Sequence, residues 1–458
     1  MLPASRVLFR SCHHLMTRSS AILSRLTPTA TFLTILLPLF LTHGRGLAEF
    51  SISALSVLFL IRSVAAADWS WLSENWMKWA LLWWAWQIFC SLPVLDGVGR
   101  SGLTQAILSI RFALFAAALQ CWTLREGWAR QWMTGLICAC ACYIAIQIFM
   151  QALFGHNLFG VPRAADGTLT GPYTHSRAAA PLSRLAPPTL MLVFAALYAR
   201  LGARRGVFLG VVLTALSLTA LILAGQRMPT ALMLLGIMLC SLLYRPYRWV
   251  GLIGLMTTPV IMLGVKIFSH RSTDHLITLA HQQLAHFAQS HYGLIFTRVW
   301  MIVAQHPWAG LGFDAFRHGC PQPAYFHGFT ALGQRPDGGG AAICVQHAHN
   351  HYLQALSNGG WPGLILFVMM VIALMVALWP REGRHHAWRV GLFVAFIVQE
   401  WPIASTSDFL NLPLGGWAFL LIGVGLAEAR AIRPDRNQSR PPLENDARPH
   451  HQVRAEKS

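Results

Sequence analysis

Twelve apolar stretches, each close to the length that crosses a bilayer, decide what this chain can fold into. They fall near residues 27–43, 47–66, 76–95, 103–122, 132–154, 183–200, 206–225, 228–244, 248–268, 361–380, 388–404 and 411–428. A hydrocarbon layer of roughly 30 Å needs about 20 helical residues. Inside it every backbone N–H and C=O must be satisfied within its own segment, which for a single apolar run means α-helix. Over 458 residues the chain is 55% hydrophobic and only 11% charged, more apolar matter than one water-soluble core absorbs. The expected fold is all-α: a polytopic membrane protein of about 12 transmembrane helices.

The charge supports this reading. A net charge of +18 could point to nucleic acid, but the cations sit in short runs between apolar segments rather than on a clustered soluble face. They mark topology. Arg6, Arg10, Arg18 and Arg25 precede the first span; Arg125 and Arg130, Arg200, Arg204 and Arg205, Arg245 and Arg248, and Arg381, Arg384 and Arg389 follow at alternate connections. With twelve spans all fall on the cytoplasmic side, and both termini with them. About 26 basic and polar residues before the first apolar run argue for a retained anchor rather than a cleaved signal peptide. The expected organisation is a cytoplasmic segment 1–26, spans one to nine over 27–268, a large periplasmic loop 269–360, spans ten to twelve over 361–428, and a disordered cytoplasmic tail 429–458.

Arginines on the opposite side then need a reason. Arg163, Arg177 and Arg184 lie in or beside the loop 155–183, Arg227 follows the tight Gly225-Gln226 turn, and Arg298 lies in the long loop. They share a face of the membrane with His347, His349 and His351. Forked guanidinium donors suit phosphate oxygens, so the set points to an anionic, lipid-linked substrate. Arg111, inside the fourth span, is expected to face the bundle or a cavity. Carboxylates on that side, including Asp314 and Asp408, are few and widely separated in sequence, with no Asp-x-Asp pair, which points to a metal-free mechanism. No phosphate-cradling Gly-rich loop suggests ATP, and no cofactor is expected. Cys138, Cys140 and Cys142 inside a span read as small apolar filler. Within 269–360, residues 274–289 carry an amphipathic pattern expected to lie on the membrane or cap the bundle. Cys320 and Cys344 are the cysteines placed on the oxidising side, and a disulfide between them is expected.

His349-Asn350, nine residues, then Gly360-Trp361-Pro362-Gly363 resembles the His-Asn, nine residues, Gly-x-x-Gly signature of the bacterial O-antigen ligase and polymerase family. Upstream, "TRVWMIVAQHPWAGLGFDAF" resembles the family segment in which an Arg and a Trp precede a Pro and a Gly-x-Gly-like turn, here Arg298, Trp300, Pro307, Gly310 and Gly312. The resemblance is firm over about 298–367 and looser elsewhere. It implies a GT-C-like membrane glycosyltransferase of the inner membrane, with its site facing the periplasm. Such an enzyme transfers a glycan from undecaprenyl diphosphate to an acceptor, the lipid A core for a ligase or a lipid-linked repeat for a polymerase. By position it implies His349 as catalytic histidine and Arg163, Arg227 and Arg298 as diphosphate contacts. Family ligases often continue with Thr-Thr or Thr-Tyr after the second Gly, where this chain has Leu364-Ile365, a departure that favours polymerase.

The residue types suit the chemistry. An imidazole takes the acceptor proton as its oxygen attacks the anomeric carbon, and guanidinium groups stabilise the departing diphosphate. Arg177, His347, Asn350 and His351 are further candidates for substrate contact, while Gly360 and Gly363 serve the turn. The expected partners are the lipid-linked glycan donor, the acceptor and membrane lipids, with no nucleic acid. An anion or lipid-linked glycan transporter is the alternative from another class. No internal repeat supports it.

Overall fold

The structure, a computed structural model, describes residues 4–94, 100–268, 281–383, 385–412 and 414–432. The tail from 433 onward lies outside the described residues, as does most of the amphipathic pattern that begins at Asp274. Of that pattern, 281–285 is helical and a 3₁₀ turn follows at Phe287–Gln289.

Among the described residues the regular structure is helical: α1 Ala4–His43, α2 Arg45–Ala65, α3 Asn75–Cys90, α4 Arg100–Leu108, α5 Ile110–Ala118, α6 Gly127–Phe154, α7 Ala179–Ala224, α8 Arg227–Leu243, α9 Arg248–Phe268, α10 His291–Gln305, α11 Ala315–Gly319, α12 His351–Leu378, α13 His386–Gln399 and α14 Leu414–Ala431. Each of the twelve apolar windows overlaps a helix, although the windows 76–95 and 388–404 run past the ends of α3 at Cys90 and α13 at Gln399. Eight helical stretches among the described residues are long and apolar enough to cross a membrane, and the apolar helices α8 and α13 are shorter. The chain has the build of a multi-pass membrane protein.

Two glycines subdivide long helices. α7 runs 46 residues but breaks at Gly202, whose φ of +78° is open to glycine without the strain a Cβ would add. A Cβ at Gly206 would stand 2.6 Å from the Tyr198 Cα, and one at Gly210 would stand 2.6 Å from the Phe194 ring. Residues eight and sixteen apart can meet this way only if the chain folds back, so α7 is a helical hairpin whose arms match the windows 183–200 and 206–225. α12 breaks at Gly360 (φ +62°), immediately before the apolar run that begins at Trp361.

The connections alternate between two ends of the bundle. At one end, Arg45 meets Asn411 (3.4 Å), Gln226 donates to the carbonyl of Ser176, and the Thr406 N–H donates to the carbonyl of His349 (2.9 Å). At the other end, Arg130 pairs with Glu428 (3.5 Å), and Arg389 donates to the carbonyls of Arg381 and Trp379. The main core fills the space between the helices. The segment 281–350 carries a small core of its own, with Ile295, Val299, Ile302, Phe316, Tyr325 and Ile343 around the Cys320–Cys344 disulfide. That bond has an S–S distance of 2.05 Å.

Candidate active site

Why the sequence carries a histidine, nine residues and then a glycine pair is explained by how α12 is held. Asn350 caps it: its Oδ1 accepts from the N–H groups of Tyr352 and Leu353, both at 3.0 Å, filling donors that a helix start leaves open. Its Nδ2 donates to the carbonyls of Pro402 (2.7 Å) and Ala404 (3.2 Å), tying the cap to the 400–412 connection. Two and a half turns later the helix opens at Gly360, and the turn 307–312 enters the gap. The Trp361 N–H donates to the Pro307 carbonyl (2.9 Å), while the N–H groups of Leu311 and Gly312 donate to the carbonyls of Ser357 and Asn358, each at 3.0 Å. A Cβ at Gly360 would lie 2.4 Å from the Pro307 oxygen, and one at Gly310 would lie 2.3 Å from the Ser357 oxygen. The two motif segments are therefore one clasp, and Gly363 packs beside it, a Cβ there meeting the Ala355 oxygen at 3.2 Å.

His349 stands just outside this helix start, with a left-handed backbone (φ +53°) that is uncommon for a residue with a Cβ. Its ring lies edge-on to Tyr292 (centroids 5.7 Å) and 4.6 Å from the ring of His347. Burial, then the neighbouring His291, lowers the His349 pKa from its ordinary value. Burial, followed by His349 and His351, brings His347 down to about 4. Both rings are thus biased toward the neutral form, the form that accepts a proton. His347 Nδ1 is buried with no hydrogen-bond partner.

His351 is a different kind of histidine. It is buried, with Nδ1 2.9 Å from a Glu400 carboxylate oxygen and Nε2 2.9 Å from the Ser407 carbonyl. A carbonyl only accepts, so Nε2 is the donor there. With both nitrogens engaged, His351 anchors the 400–412 connection. The Asn350 side chain likewise makes four hydrogen bonds within the protein.

The arginines separate by their partners. Arg298 is 1% exposed and sits in the small core of 281–350. It donates to the carbonyls of Cys320 and Gly340 (the latter at 2.9 Å) and lies over the Phe326 ring at 4.4 Å. That arrangement clamps the disulfide segment through the two Nη donors, while Arg298 Nε is buried with no hydrogen-bond partner among the described residues. Arg184, also buried, donates to Gln399, Ala180 and Thr406. Arg163 donates to the carbonyl of Ala152 at 2.6 Å. Arg177 is exposed. Arg227 opens α8 half-buried, and its Nη1 is buried with no hydrogen-bond partner among the described residues. A chain of contacts joins these residues to His349: the Thr406 N–H donates to the His349 carbonyl, Arg184 donates to Thr406, and seven residues before Arg184 the exposed Arg177 follows Ser176, which Gln226 holds.

Beside the histidines lies a cavity of about 420 Å³, lined by His347 together with Arg45, Glu49, Arg111, Arg317, Asp314 and Asp408 among others. Arg111, expected from its depth to face the bundle or a cavity, lines it and pairs with Glu49. Asp314 and Asp408 are 94 positions apart in sequence, and the fold brings them to this one cavity. Burial raises both pKa values, Asp408 to about 6, where His351 and two backbone N–H groups pull it down and Asp314 pushes it up. Asp314 also has a left-handed backbone (φ +65°). No spacing in the sequence signals this convergence.

No curated protein matches the chain. Residues 212–368 match the model of a family described as O-antigen ligase, a stretch that takes in Arg227, the 281–350 segment, His349 and the Gly360 clasp. Across that stretch the chain is similar to the O-antigen ligase family.

Proposed function

We propose that the protein is an O-antigen ligase, a glycosyltransferase that moves a glycan from undecaprenyl diphosphate to the lipid A core. The observation that carries the reading is that the family match contains both a neutral-biased, partly buried His349 and a buried guanidinium nitrogen of Arg227 with no hydrogen-bond partner among the described residues. His349 accepts the proton of the acceptor hydroxyl as that oxygen attacks the anomeric carbon. The bond from that carbon to the diphosphate oxygen breaks, and the electron pair leaves with undecaprenyl diphosphate. Arg227 stabilises the charge that accumulates on the leaving group, with Arg163 and Arg177 as flanking contacts. Arg298, Asn350 and His351 position the loop rather than touch substrate.

A twelve-span topology supports the same reading. Counting the α7 hairpin as two spans and α4 with α5 as one, every connection at the His349 end comes out on one side of the membrane, and the runs around Arg130, Arg204 and Arg389 come out on the other. The positive-inside preference makes the second side cytoplasmic and the site periplasmic. Residues Leu364-Ile365 favour the alternative within the family, a polymerase whose acceptor is a second lipid-linked repeat. The lipopolysaccharide of a deletion strain separates the two. Loss of all long chains from lipid A is expected for the ligase; a single repeat left attached overturns it in favour of the polymerase.

A further inference from the structure

The cavity of about 420 Å³ has a chemistry unlike the surroundings of Arg227. Three of its lining residues are arginines and three are carboxylates. Arg111 is paired with Glu49, Arg317 lies 3.7 Å from Asp314, and Arg45 donates to the Asn411 side-chain oxygen at 3.4 Å. Positive charge is therefore matched within the wall, which is poor for a diphosphate carrying several negative charges. A diphosphate is served by guanidinium groups without carboxylate partners. The same wall mixes donors and acceptors, adding Gln105, Gln346 and Asn411, and includes the aromatic residues Phe112 and Phe313. Two buried polar atoms of lining residues have no partner among the described residues, Arg111 Nε and His347 Nδ1. Mixed polar groups, aromatic residues and unpartnered buried atoms suit a ligand rich in hydroxyl groups, and the volume falls within the roughly 300–1,000 Å³ of small-molecule sites.

The cavity also has a defined relation to the proposed base. His347 belongs to its lining, and the His347 ring lies 4.6 Å from that of His349. A sugar held there would direct a hydroxyl past His347 toward His349. We infer that this cavity seats the acceptor saccharide, a neutral, hydroxyl-rich sugar, apart from the diphosphate contact at Arg227. The inference rests on the transfer reading above and names the second substrate's place in it. His347 is a positioning residue at the cavity's inner edge, and Asp314, Asp408, Arg111 and Arg317 hold the sugar rather than take part in bond cleavage.

The test compares purified wild type with Gln105→Trp, which places an indole in the cavity, and with Asn411→Ala, which removes one polar lining group. The probes are the oligosaccharide released from lipid A core, the oligosaccharide released from the lipid-linked repeat, and undecaprenyl diphosphate. Binding is read by saturation-transfer NMR in detergent, and the acceptor and donor KM are read from transfer. Wild type is expected to bind a released oligosaccharide. Gln105→Trp should weaken that binding at least tenfold, and Asn411→Ala several-fold, with undecaprenyl diphosphate binding and donor KM unchanged. Preference for the repeat oligosaccharide over the core keeps the saccharide site while replacing ligase by polymerase. Unchanged oligosaccharide binding in both variants overturns the inference, as does loss of undecaprenyl diphosphate binding instead. Wild type that binds oligosaccharide yet forms no glycosidic bond leaves the cavity assignment standing and removes the transfer reading.

Discussion

The imidazole rings of His347 and His349 lie 4.6 Å apart, inclined by 55°, one lining a charged cavity and the other facing Tyr292. Two protonated rings at that separation would repel, and burial already disfavours charge on either. The pair is a neutral one at and above the ordinary imidazole value.

The pH dependence follows with a definite sign. Because the pKa of each ring is lowered on folding, the unfolded chain binds protons first as pH falls. Stability contributed by the neutral pair is complete above about 6.5 and is lost as pH falls toward about 4, the value for His347. Transfer activity should likewise persist below pH 6.5 rather than halve there, since the base stays unprotonated. Thermal unfolding and initial rates across pH 4–8 check both. A rate profile centred on the ordinary value would remove His349 as a base in this environment.

His349→Ala should lower transfer by roughly 10² or more, the usual worth of a positioned general base, with insertion and folding intact. The ring makes no hydrogen bond that holds the fold, and its backbone carbonyl contact to Thr406 survives the change. His281→Ala, on an exposed side chain, should be nearly silent. Purified His349→Ala with wild-type turnover would end the assignment.

Arg227→Lys and Arg298→Lys should differ in kind. A point charge cannot reproduce a forked contact to diphosphate, so Arg227→Lys should lose turnover while unfolding like wild type. At Arg298 the loss falls on stability, because the Cys320 and Gly340 carbonyls lose their shared donor. A cost of about 2–3 kcal/mol is expected from hydrogen bonds to a charged group. Limited proteolysis within 320–344, compared with initial rates, distinguishes the two, and the opposite pattern would exchange their roles.

Reduction or Cys320→Ser should loosen the same segment. Closing a loop of this length contributes about 3 kcal/mol in the chain-entropy account. Because Cys344 precedes His349 by five residues, activity should fall along with protease resistance. Mass spectrometry of unreduced, alkylated protein should recover the linked peptide; full alkylation of both thiols would contradict the bond.

Gly360→Ala should destabilise by about 1–3 kcal/mol through left-handed strain alone, with more from the contact at the Pro307 oxygen. Gly264→Ala, where an added Cβ meets nothing within 4 Å, is the matched control in another helix. Equal thermal stability of the two variants would argue against the clasp.

The helical windows were legible because a bilayer imposes length and apolarity on every crossing segment, and even the breaks at Gly202 and Gly360 fell where windows ended or began. His349 was legible through a local pattern, since the cap at Asn350 and the clasp at Gly360 belong to a single helix with fixed spacing. The contacts of Arg298 were not legible, for the opposite reason. Its place in the motif is real, but whether a guanidinium faces substrate or two carbonyls depends on where Cys320 and Gly340 return. The meeting of Asp314 with Asp408 likewise depends on the packing of connections remote in sequence, and no periodicity encodes it.

The clasp also fixes an order of events during synthesis. The turn 307–312 leaves the ribosome well before the carbonyls of Ser357 and Asn358 that accept its N–H groups, and before the Trp361 N–H that holds Pro307. It has to wait, unpaired, until the helix carrying them has been made. The segment between Ser290 and Asn350 therefore cannot reach its final shape as an independent unit during elongation. Its completion coincides with the docking of the helix that follows, so a ribosome stalled before Gly360 would hold a chain whose histidine is already translated but not yet in place.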